Sequence, residues 1–200
     1  MALLESLNKD KKIEFSKPQP IEHEVCKSTP KVLVLKLTSN LGIKMSRREQ
    51  IKMSLEDISS YLKESRTIIL VSNGKNGYPH PMPMWYAVDE KNTVYMTTFK
   101  KSQKIENLKR DPRVALLVES GDSYNQLKSV LIYTRVDLVE DLEKTRDILM
   151  KISIQRGDLA DDSDESVRQG MLKTAGKRMG MVFSPEKIVS WDHSKLGGVY

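Results

Sequence analysis

With 200 residues, 38% of them apolar and 30% charged, the chain can bury one substantial core and is too polar for a bundle of membrane helices. Its net charge of +6 does not mark a nucleic-acid surface: residues 1–52 hold 11 Lys and Arg against 6 Asp and Glu, residues 53–200 hold 22 against 21, and the few aromatic residues (6%) are not interleaved with basic ones. A single cysteine, Cys26, excludes an internal disulfide and a thiolate metal cluster, and no run reaches the roughly 20 apolar residues of a spanning helix. The expectation is a cytoplasmic protein with no nucleic-acid partner, no membrane partner and no metal.

Residues 1–45 carry Lys, Pro, Ser and Thr without periodicity and read as a basic, mostly irregular extension with one short strand at Val32–Leu37. Residues 46–200 form the predicted domain, its ordered body beginning near Met53. Ser54 followed by Asp57 is a capping-box pattern for a helix to about Lys63, with Leu55, Ile58, Tyr61 and Leu62 on one face. The β-branched run Thr67–Ser72 predicts a buried strand, and the glycines of Asn73–Gly77 a hairpin turn. A strand over Pro79–Val88 returns and Asp89–Asn92 turns it into Thr93–Thr98. A basic loop, a helix over Ser102–Lys109 and a strand over Arg113–Glu119 follow. The spacing then predicts a long strand over Ser129–Val139, helices over Asp141–Gln155 and Glu165–Lys177, and two last strands, Met179–Phe183 and Lys187–Trp191, around a Ser184–Glu186 turn. Short hairpin-linked strands with few helices point to an α+β, mainly β, antiparallel barrel.

Two stretches carry chemistry. Pro79, Pro81 and Pro83 alternate, so one edge of their strand presents carbonyls and no N–H, which suits a sheet edge facing solvent, a ligand or another subunit. Thr97, Thr98, Lys100, Lys101, Ser102 and Lys104 gather at a helix N-terminus, where amides, helix dipole and ammonium groups favour a phosphate. Simpler roles stand beside these: a solvated lysine loop, Ser102 as a helix cap, the two tryptophans as core or interface anchors, and His80 and His193 as polar surface groups.

The stretch Pro79–Leu127 (PHPMPMWYAVDEKNTVYMTTFKKSQKIENLKRDPRVALLVESGDSYNQL) resembles the pyridoxamine-5'-phosphate-oxidase-like split β-barrel flavoproteins, and within them the flavin/deazaflavin oxidoreductases. The tail Ser190–Gly198 (SWDHSKLGG) is similar to the closing signature of a branch assigned to coenzyme F-420, and the resemblance runs from about Met53 to Tyr200. It implies an FMN-binding split barrel, a homodimer with the cofactor in a groove at the interface, and hydride transfer between the deazaflavin coenzyme F-420 and an unsaturated or quinone-like small molecule. FMN is the alternative cofactor, in an oxidase or reductase of the same fold, and a non-catalytic flavin-binding protein is the alternative to an enzyme. By position, Met82, Pro83, Met84 and Trp85 would line the ring, and Thr97, Thr98, Lys101, Ser102 and Lys104 would meet the phosphate. Trp191 and His193 would complete a cofactor or substrate pocket, with His193 a candidate proton donor. The family's loops often offer an Arg to the phosphate, whereas this loop holds only lysines.

Overall fold

A computed structural model describes residues 46–161 and 164–198, so the strand expected at Val32–Leu37 lies outside the described residues. Met45–Tyr200 forms one compact unit. Its strands are β1 (Ile68–Asn73), β2 (Pro79–Met84), β3 (Ala87–Val88), β4 (Val94–Phe99), β5 (Arg113–Ser120), β6 (Lys128–Val139) and β7 (Arg178–Asp192). Its helices are α1 (Arg47–Gln50), α2 (Leu55–Glu64), α3 (Gln103–Arg110), α4 (Leu142–Arg156) and α5 (Glu165–Ala175).

The strands form one antiparallel sheet in the order β2-β1-β5-β6-β7-β4-β3. Its two outermost strands, β2 and β3, are consecutive in the chain with only Trp85 and Tyr86 between them. The sheet must therefore curl until its edges approach, which makes it a split β-barrel with flanking helices. Alternation along each strand decides what enters the barrel. Ile68, Leu70, Val94, Met96, Leu116, Ile132, Met181 and Phe183 are buried inside it, joined by Leu62 of α2 and by Ile105 and Leu108 of α3. Each such side chain contributes about 1.5–3 kcal/mol through apolar area removed from water. On the other face of the sheet, Ala87, Tyr95, Val139 and Val182 meet Ile148 and Ile152 of α4.

The helix ends are set by local chemistry. Ser54 and Asp57 form the complete capping box of α2, and Asp141 caps α4 by accepting from the Lys144 amide. Gly157 ends α4 at φ 80°, a left-handed turn that glycine adopts without steric cost. Tyr86, 1% exposed, donates its hydroxyl to the Leu62 carbonyl at 2.6 Å, so the residue that bridges β2 and β3 also ties the barrel seam to α2.

Three expectations are corrected. The strand expected over Pro79–Val88 breaks at Trp85–Tyr86 into β2 and β3, because one chain segment must serve both edges of a curled sheet. The two final strands are one continuous β7: the expected turn at Ser184–Glu186 is a bulge at Glu186, with Tyr133 pairing with Lys187, Thr134 with Pro185 and Arg135 with Ser184. Proline is tolerated there because β4 pairs β7 only as far as Phe183, leaving the Pro185 edge without a ladder to complete. The extra turn α1 precedes the predicted start of the body, capped by Ser46. The alternating prolines lie as expected, on β2 at the sheet edge, paired with β1 alone. Among the described residues no helix is long and apolar enough to cross a membrane, and no group of three or more His, Cys, Asp or Glu is placed to hold a metal ion.

Candidate functional site

The end of β4 and the start of α3 make a polar corner at the barrel rim. Thr98 follows Val94 and Met96 on the inward face, where it is 5% exposed. Its hydroxyl accepts from Lys104 Nζ at 3.0 Å and donates to Ser102 Oγ at 3.4 Å. Lys104 is 8% exposed, not the solvated loop lysine that composition alone allows. Among the described residues no carboxylate pairs with it, and burial alone pushes its ammonium below the ordinary 10.5. Ser102 holds the N-cap position of α3, yet its side chain makes no cap bond and turns to Thr98 instead. The first-turn amides of Gln103 and Lys104 carry no hydrogen bond among the described residues. Lys100 and Lys101 are exposed.

Beside this corner a cavity of about 350 Å³ is lined by Pro83, Met84, Trp85, Thr97, Thr98 and Phe99. Leu149, Ile152 and Arg156 of α4 close one side, with Arg178 at the start of β7. Arg178 arrives because it pairs with Phe99 in the sheet; its guanidinium lies 4.8 Å from the Phe99 ring centre, and its buried Nε has no hydrogen-bond partner. The Arg156 guanidinium lies 3.7 Å from the Trp85 ring centre and is held by Asp158 at 3.1 Å. Trp85 and Phe99 remain 61% and 58% exposed, large apolar rings at the mouth of the cavity.

Of the residues expected at the site, Pro83, Met84, Trp85, Thr97 and Thr98 line the cavity, and Ser102 and Lys104 adjoin it through Thr98. Met82 is half-buried one pleat along β2, outside the lining, and exposed Lys101 makes no described contact. Trp191 sits near the far end of β7 from Arg178, a contour of up to about 40 Å at roughly 3.3 Å per residue, so within one protomer it does not reach the cavity. His193 lies with it: its Nδ1 is 3.0 Å from the Tyr124 carbonyl and its ring centre 4.5 Å from that of Tyr124. A carbonyl only accepts, so Nδ1 carries the hydrogen and Nε2 is the ring nitrogen left for proton exchange.

Comparison with known proteins matches residues 54–191 to the pyridoxamine 5'-phosphate oxidase family model. The chain belongs to the pyridoxamine 5'-phosphate oxidase family. The conserved hypothetical protein Rv2991 of Mycobacterium tuberculosis is 34% identical, with a TM-score of 0.68 over 78% of this chain and 95% of that one. A protein of Bacteroides thetaiotaomicron described for 5-nitroimidazole antibiotic resistance is 18% identical, with a TM-score of 0.58 over 70% of this chain and 84% of that one. A FAD-binding protein of Mesorhizobium loti is 20% identical, with a TM-score of 0.51 over 70% and 94% of the two chains, and an F-420 reductase is 22% identical, at 0.50 over 65% and 94%. No curated protein matches the chain.

The pyridoxamine 5'-phosphate oxidase fold of this chain thus brings two arginines to a cleft whose loop holds only lysines. Sequence reasoning missed both. The signals were a helix end at Gly157 just after Arg156, and a strand that opens on Arg178 opposite Phe99. A phosphate fits the donor set: a buried ammonium without a counter-ion, an unpartnered guanidinium Nε and two free helix amides.

The buried ammonium predicts a pH signature. Lys104 loses its proton in the folded protein at lower pH than in the unfolded chain. Between that lowered value and 10.5 the unfolded chain binds more protons, so this group makes stability rise with pH across the window. Anion affinity runs the opposite way, being full below the lowered value and falling as pH rises through it. Titration of a phosphorylated ligand across alkaline pH is expected to show this loss, and Lys104→Met to abolish it.

Proposed function

We infer that the protein is an oxidoreductase that exchanges hydride between a phosphorylated flavin-type cofactor and an unsaturated or quinone-like small molecule. Coenzyme F-420 is the favoured cofactor and FMN the alternative. The observation that carries this reading is Lys104, a buried ammonium with no carboxylate beside a cavity edged by aromatic rings. A cation taken out of water without a partner is costly, and the cost is offset when an anion binds.

In this reading Thr97, Thr98, Lys101, Ser102 and Lys104 hold the phosphate, and Arg178 adds the guanidinium that the loop lacks. Met82, Pro83, Met84 and Trp85 orient the ring. The bound ring supplies the hydride chemistry, so the chain needs no strong acid or base of its own. Trp85 and Phe99, exposed at the cavity mouth, and the unpaired β2 edge support a groove completed by a second copy of the chain. That copy would bring Trp191 and His193, the latter offering Nε2 for proton delivery to the reduced acceptor. The likeness to an F-420 reductase fold and the tail Ser190–Gly198 favour the deazaflavin.

The test is an absorbance spectrum taken after incubation with each cofactor and desalting. Retention of F-420 is expected, and retention of FMN would select the alternative. Binding of both no tighter than the millimolar range would defeat the reading.

A further inference from the structure

The last turn of α4 brings to the cleft a side chain that the phosphate corner does not use. Arg156 is the final residue of the helix and follows Ile152 and Ser153 at helical spacing, so all three share the face that lines the cavity. Its side chain is 15% exposed and is fixed on two sides. The guanidinium carbon lies 3.7 Å over the Trp85 ring centre, and Nε donates to Asp158 Oδ2 at 3.1 Å. Asp158 is within reach because Gly157, at φ 80°, turns the chain back on the helix end.

This guanidinium is not spent on capping α4. The Ser153 carbonyl accepts from the Asp158 and Leu159 amides, and the Ile154 carbonyl from the Gly157 amide. Stacking engages the guanidinium face and Asp158 engages Nε, which leaves open the edge between the two terminal nitrogens. Those nitrogens make no hydrogen bond among the described residues, and neither does the Ser153 hydroxyl one turn earlier. An edge of this kind matches the two oxygens of a carboxylate. Asp158 is 55% exposed, so water screens its charge, while the guanidinium stands in the cavity wall. Around it the wall is apolar, made by Pro83, Met84, Leu149 and Ile152.

Resting on the proposed function, we propose that Arg156, assisted by the Ser153 hydroxyl, binds a carboxylate on the hydride acceptor. The acceptor class is then an acidic unsaturated or quinone-like molecule rather than a neutral one. The apolar wall takes its carbon frame, and the carboxylate at Arg156 holds that frame beside Trp85, where the cofactor ring is placed. Lys104 and Arg178 select the cofactor through its phosphate, and Arg156 selects the acceptor.

The probes are a para-naphthoquinone with a propionate side chain and its methyl ester, which share the quinone and differ in one charge. Dissociation constants for both are measured by calorimetry on the protein saturated with whichever oxidised cofactor it retains, so no turnover is needed. The parent is expected to bind the acid about ten- to thirtyfold more tightly than the ester. Arg156→Gln should bring that ratio near one, and Arg156→Lys, which keeps the charge without the fork, should retain part of it. Thermal melting checks that both variants fold. A parent that binds acid and ester equally, or an Arg156→Gln protein that keeps the parent's ratio, overturns the inference and leaves the proposed function standing. A protein that retains neither cofactor defeats the proposed function, and the inference with it.

Discussion

Lys104→Met is expected to weaken a phosphorylated flavin or deazaflavin about ten- to a hundredfold, the equivalent of roughly 1.5–3 kcal/mol for one charge-assisted contact. The side chain it replaces is 8% exposed and reaches Thr98 Oγ1 at 3.0 Å, so its ammonium is already aimed into the corner. Stability should move the other way. Methionine keeps most of the aliphatic stem and removes a buried charge without a counter-ion, so the unliganded variant melts at the parent temperature or above it. Thr98 still has its bond to Ser102, and no orphaned hydroxyl offsets the gain. Weaker binding with undiminished stability separates a ligand-binding lysine from a structural one. Unchanged affinity would remove Lys104 from the site.

Gly180→Val attacks the cleft from behind. Gly180 lies on β7 between Thr97 of β4 and Val139 of β6. A Cβ there would stand 2.9 Å from Ile148 Cδ1, 3.1 Å from Val139 Cβ and 3.3 Å from Thr145 Oγ1, so α4 rests on the sheet through the missing side chain. Overpacking of this kind costs about 1–3 kcal/mol, which for a domain of this size lowers the melting midpoint by roughly 2–12 °C. Relief can come by lifting α4, the helix that brings Leu149, Ile152 and Arg156 to the cavity, so cofactor affinity should fall as well. Phe183→Ala, deep in the barrel and outside the cleft lining, provides the comparison: it should cost about 3–5 kcal/mol through a cavity and leave the affinity of the folded fraction intact. A Gly180→Val protein with unchanged melting and binding would contradict the seating of α4.

Local signals in the sequence carried most of the fold. The capping box at Ser54–Asp57, the β-branched run of β1 and the glycines of its hairpin each involve neighbours in the chain, and each formed where expected. Long-range geometry was not legible in the same way. The break at Trp85–Tyr86 follows from barrel closure, and the continuity of β7 through Pro185 depends on its pairing with β6. The candidate site divides similarly. The Thr98–Ser102–Lys104 corner is compact in sequence and came together. Arg156 and Arg178 enter through helix packing and strand register from far along the chain, and the burial of Lys104 emerges only once α3 docks on the barrel.

The claim that this corner grips a phosphate is tested most directly by removing the phosphate from the ligand. Dissociation constants are measured side by side for FMN and riboflavin, and for coenzyme F-420 and its dephosphorylated deazaflavin core. Within the pair the protein binds, the phosphorylated member is expected to be at least about tenfold tighter, and Lys104→Met to narrow that margin to the part held by Arg178, the hydroxyls and the helix amides. Equal affinity for the two members of that pair would contradict it.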